Sequence, residues 1–126
     1  MHAHLDVFVN GARAPVAAGI GIDSVTRVIS PLHTHDTSGF VHIEAAEPAD
    51  FTVGQFFTEW AVRLTPDCVG GYCKPDVPWR VVVNGQDYEG DPKDVVFHGR
   101  DEIAFVIGTP PAEIPSTYDF SPVERG

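Results

Sequence analysis

Alternation of apolar and polar positions marks a strand at the start of the chain and another at residues 40–44. In Leu5-Asp6-Val7-Phe8-Val9, Leu5, Val7 and Val9 share one face of an extended strand, which leaves His2, His4 and Asp6 on the other. The strand runs into Asn10-Gly11, and Val81-Val82-Val83 runs likewise into Asn84-Gly85; each dipeptide supplies the positive φ of a type I′ turn and predicts a hairpin, with return arms near Pro15 to Ala18 and Asp87 to Glu89. Phe40-Val41-His42-Ile43-Glu44 alternates with Val41 and Ile43 inward and His42 and Glu44 outward, and β-branched Ser24 to Ile29 reads as extended, closed by Pro31. Helical spacing occurs once. Thr52 and Gln55 form a capping box, Phe51 can staple onto Phe56, and Val53, Phe56, Phe57, Trp60 and Leu64 make one apolar stripe that Pro66 ends, with Trp60 expected at its buried centre. Glu102 to Ile107 is a last, buried strand. A mixed sheet covered by one principal helix is an α+β fold, expected over residues 1–108, with a Pro-rich extended tail over 109–126 that hugs the surface or hangs free.

The outward positions carry the chemistry. Leu32-His33-Thr34-His35 and the strand bearing His42 place three of the six histidines within ten positions, and His2 and His4 form a second His-X-His pair. Spacing of two on a strand points both imidazoles to one face. If the two His-bearing strands are neighbours, His2, His4, His42 and Glu44 crowd one sheet face beside His33 and His35. Neutral imidazole is the commonest protein ligand for zinc, copper, iron and nickel, so the candidate ligands are His33, His35 and His42, joined by His4 and by His2 or Glu44. All-imidazole ligation and the Irving–Williams order favour copper, with zinc or iron as alternatives. His98, beside Gly99 in a turn, reads as an ordinary surface histidine.

A formal net charge of −10 disfavours nucleic acid and anionic membrane surfaces and concentrates cations instead. No apolar run is long enough to span a membrane. Cys68 and Cys73 flank Val-Gly-Gly-Tyr, whose glycines let the chain turn tightly enough for a disulfide; soft-metal ligation and free thiols are the competing readings. A disulfide, and a strand that starts almost at residue 1, point to an extracytoplasmic protein whose leader or anchor lies upstream, with a cytoplasmic location left open.

Phe51-Thr52-Val53-Gly54-Gln55-Phe56-Phe57, Val81 to Gly85 and His98-Gly99-Arg100-Asp101-Glu102 through Ile107 resemble the helix, third strand and last strand of β-grasp (ubiquitin-like) domains, and are most similar to the sulfur-carrier proteins of molybdopterin and thiamine synthesis. The resemblance implies a β-grasp-like fold with the His-bearing strands as an insertion. It does not extend to sulfur carriage, because those carriers end in Gly-Gly and this sequence ends Pro122-Val123-Glu124-Arg125-Gly126. His33-X-His35 with His42-X-Glu44 also superficially resembles the cupin ligand set, at the wrong spacing. Three functions follow as expectations: a transition-metal-binding domain for metal handling or a structural metal; a metal-dependent oxidase, oxygenase or hydrolase using the same site, with Asp36 or Glu44 as orienter or base; and a non-catalytic module binding a protein partner, or a second copy, through a sheet edge.

Overall fold

The computed structural model describes residues 1–124. Eleven strands are formed: β1 His2–Val9, β2 Ala12–Ala14, β3 Ile22–Asp23, β4 Val28–Ile29, β5 Leu32–His33, β6 Phe40–Ile43, β7 Cys68–Val69, β8 Tyr72–Cys73, β9 Trp79–Val83, β10 Gln86–Asp87 and β11 Glu102–Ile107, with helix α1 at Val53–Trp60. Seven strands make one mixed sheet in the order β10-β9-β11-β1-β6-β5, with β2 pairing beside β6 on β1. The first and last of these strands, β1 and β11, lie parallel at its centre, Leu5 opposite Ile103 and Val7 opposite Phe105. The fold is α+β.

Helix α1 covers one face. Val53, Phe56 and Phe57 are buried against Leu5, Val41, Ile103 and Phe105 of the sheet. The capping box forms as the sequence dictates: Thr52 Oγ1 accepts from the Gln55 backbone N–H, and Gln55 Oε1 accepts from that of Thr52. The helix stops at Trp60 rather than continuing to Leu64. Ala61 is left-handed at φ 59°, its N–H bonds back to Phe57 and Thr58, and Val62 N–H bonds to Phe57 O. This Schellman-type ending frees Leu64 to bridge to Val69 beside the β7–β8 hairpin. Trp60 is consequently half-buried at the rim, and fully buried Phe56 occupies the centre expected for it.

Both Asn-Gly turns hold positive φ at both residues, but the return arms begin sooner than expected, at Ala12 and Gln86, because a two-residue I′ loop pairs Val9 with Ala12 and Val83 with Gln86. Ser24 to Ile29 is not one strand. Asp23 Oδ1 accepts from the N–H groups of Val25 and Thr26, turning the chain so that β3 and β4 pair as a small separate hairpin. The segment after Gly108 crosses the second sheet face, where Ile114 packs on Phe8, Val82, Ala104 and Val106, and Phe120 is buried. Its last two residues, Arg125 and Gly126, lie outside the described residues.

Candidate metal centre

Strand register assembles the histidines. His2 pairs with His42 across β1 and β6, and His33 pairs with the same His42 across β5 and β6. Directly opposed residues share a face, so three imidazoles form a row over three adjacent strands, while Leu32 and Ile43, the neighbouring pair, turn into the core. His35, just past β5, folds back onto the row: its ring centre lies 4.9 Å from that of His33 and 4.7 Å from that of His42. The His33 and His42 rings stack at 5.3 Å, and His2 meets His42 edge-on at 4.8 Å.

The turn that follows His35 is tied down locally and to β1. Asp36 Oδ1 accepts from both the N–H and the hydroxyl of Ser38, which holds its carboxyl below the usual carboxylate range. Gly39 adopts φ 95° and its carbonyl accepts from Leu5 N–H at 2.9 Å, tying the loop to β1. A side chain there would collide with the Leu5 carbonyl and press on His4.

One nitrogen each of His33, His35 and His42 lies within 4.8 Å of the others. Tetrahedral ligation at metal–nitrogen distances of 2.0–2.1 Å places nitrogens about 3.4 Å apart, so ligation would draw the three rings closer together. His33 Nδ1 lies 2.8 Å from Ser30 O, so Nδ1 carries the proton and donates, and the lone pair is on Nε2, 3.8 Å from Glu44 Oε1. This is how a metal-binding imidazole is usually held by a backbone carbonyl. Partial burial, then the neighbouring His2, His35 and His33, push the His42 imidazole down to about 4, and burial followed by the terminal ammonium lowers that of His2. The His42 imidazole is therefore neutral, as ligation requires, well into the acid range, and that of His2 is shifted in the same direction.

The structure does not bring His4 to this group. It is fully buried beneath the tail, its ring stacked on Tyr118 with centres 3.4 Å apart. His4 Nδ1 lies 2.7 Å from Glu102 Oε1 and 3.5 Å from Asp6 Oδ2, and Nε2 lies 2.7 Å from Ser38 O. Arg13 pairs with Asp6 through Nε at 2.9 Å and donates to Ser38 O from its other end. Both ring nitrogens of His4 are thus engaged by protein groups. His4, Asp6 and Glu102 are also close enough to hold an ion, but the adjoining Arg13 guanidinium supplies the positive charge. Glu102 and Arg13 escaped the sequence reading; the available signal was a carboxylate opening the otherwise apolar strand β11. His98 lies apart, exposed, with its backbone N–H on Asp101 Oδ2. Cys68 and Cys73 are disulfide-bonded across β7 and β8. Among the described residues no helix is long and apolar enough to cross a membrane.

Comparison of the chain with known protein families, curated proteins and solved structures finds no match.

Proposed function

We propose that the chain is a transition-metal-binding domain whose ion is held by His33, His35 and His42, with His2 as a fourth imidazole and Glu44 beside His33. The observation that carries this reading is the convergence of one ring nitrogen each from His33, His35 and His42 within 4.8 Å, while the bond from His33 Nδ1 to Ser30 leaves Nε2 of that ring free for ligation. Copper is preferred on ligand type, with zinc next and iron after it, and a net charge of −10 favours capture of a cation. The role is metal handling or a structural metal. His35 is exposed, so an ion held there would be reachable from solvent, which also supports a second reading: a metal-dependent enzyme with Asp36 or Glu44 as base. The parallel pairing of β1 with β11 and the single covering helix support a β-grasp-like arrangement in which β5 and β6 are the insertion. The disulfide supports an extracytoplasmic location.

Titration of untagged, chelator-treated protein with Cu(II) and Zn(II), followed by calorimetry and by electron paramagnetic resonance for copper, tests the proposal. One ion per chain is expected, with nitrogen hyperfine structure from several imidazoles. His33→Ala, His35→Ala and His42→Ala should each weaken binding at least about a hundredfold, and His98→Ala should leave it unchanged. Absence of stoichiometric binding would favour the interaction-module reading, and loss of binding only in His98→Ala would remove this ligand set.

A further inference from the structure

A second reactive centre lies away from the histidines, at the β7–β8 hairpin. After Ala61 reverses the chain, residues 63–65 run beside the hairpin: Gly70 N–H donates to Arg63 O at 2.7 Å, and Thr65 N–H donates to Cys68 O at 2.8 Å. This places the Arg63 guanidinium over the disulfide. Its Nε and Nη2 both donate to Gly70 O at 3.3 Å, and Nη2 also lies 3.3 Å from Cys73 Sγ. Cys68 and Cys73 are each only half-buried, so an incoming thiol can approach.

The two sulfurs differ in electrostatic setting. Cys73 has the guanidinium on its Sγ and Lys74 as its chain neighbour, whereas Cys68 follows Asp67. Lys74 Nζ sits 4.4 Å from the centre of the Trp79 ring, and Trp79 Nε1 donates to Asp67 O, so Arg63 is the cation in direct contact with sulfur. A thiolate beside a cation is stabilised, and the sulfur that forms the more stable thiolate is the better leaving group in exchange.

The geometry points to Cys68–Cys73 as a thiol-exchange site for a dithiol partner, polarised so that Cys68 is attacked and Cys73 departs. The thiolate of the partner forms a bond to Cys68 Sγ, the Cys68–Cys73 bond breaks, and its electron pair leaves on Cys73 Sγ as a thiolate facing Arg63. The partner's second thiol loses its proton to solvent and attacks its own sulfur in the mixed disulfide. Cys68 thiolate is released and takes up a proton. The partner is oxidised by two electrons and this chain is reduced by two. The hairpin keeps its backbone bonds, including Lys74 N–H to Asp67 O at 2.9 Å, so the sulfurs stay positioned for reoxidation.

Reduction of the native chain with glutathione as the probe, trapped by rapid alkylation and mapped by peptide mass spectrometry, tests this. Glutathione is expected on Cys68 and the alkyl group on Cys73, and in the reduced chain Cys73 should alkylate at lower pH than Cys68. Arg63→Gln should slow reduction by about threefold or more and raise the pH at which Cys73 alkylates, while Arg63→Lys retains both behaviours. Equal or reversed labelling, an Arg63→Gln variant with unchanged rate and pH profile, or reduction seen only in denaturant would each overturn the assignment. Circular dichroism of the Arg63 variants establishes that the comparison is made on folded protein.

Discussion

Glu102→Gln tests the protonation of the buried network under the tail. Burial, then the adjoining Asp6 carboxylate, pushes the Glu102 carboxyl up to about 10, and burial lowers the imidazole of His4. His4 Nε2 donates to Ser38 O, so a single shared proton lies between Glu102 Oε1 and His4 Nδ1, 2.7 Å apart. Glu102 Oε2 has no hydrogen-bond partner among the described residues, a situation tolerable for the carbonyl of a neutral acid and costly for a carboxylate. Unfolded, the two groups titrate near 4.5 and 6.5. Between those values the unfolded chain also carries one proton on the pair, on the imidazole, and stability is level. Above pH 6.5 the unfolded pair loses that proton while the folded pair keeps it to about 10. Stability contributed by the pair therefore falls as pH rises, by about 1.4 kcal/mol per unit and roughly 3 kcal/mol from pH 6.5 to 9. A glutamine at 102 donates to His4 Nδ1 with no proton to lose. Urea melts followed by tryptophan fluorescence at pH 5.5, 7, 8 and 9 should show the variant within about 1 kcal/mol of wild type at pH 7 and converging on it or overtaking it as pH rises. If the gap between the two does not change between pH 7 and 9, the shared proton is misassigned. A loss of about 3 kcal/mol or more at pH 7 would mean that Glu102 is ionised against a charged His4.

Phe56→Ala should cost about 3 to 5 kcal/mol and half-buried Trp60→Ala clearly less; the reverse order in chemical denaturation would place the wrong residue at the helix–sheet centre. Gly39→Ala should destabilise by more than about 1 kcal/mol, since it meets both positive φ and the Leu5 carbonyl, and unaltered melting would show that the loop moves freely off β1. The metal-free His42 ring should titrate near 4 by NMR, so its contribution to stability is complete above pH 6.5 and is lost as pH falls toward 4; a midpoint near 6.5 would show that the ring is not held among its neighbours.

Local chemistry alone determined a good deal. Capping at Thr52 and Gln55, the two Asn-Gly turns and the apolar stripe through Phe56 and Phe57 depend on interactions within a few residues, and they appear in the fold where the pattern puts them. The period of two along β1 and β6 likewise assigned His2, His4 and His42 to one face, because one register slip would have carried Leu5 and Val41 out of the core. What parity cannot supply is position along the face. His2 and His4 are equivalent by alternation, yet β6 reaches β1 only from His2 to His4, so His2 meets His42 while His4 meets Phe40 and the tail. The Glu102 partner comes from a strand ninety-eight positions away, and no local rule links the two. The helix end was decided the same way, since residues 63–65 leave the helical path to bond with the β7–β8 hairpin, which the apolar stripe does not announce. Face is a property of the chain's own geometry; neighbours on that face are chosen by which distant strands bury the most apolar surface together.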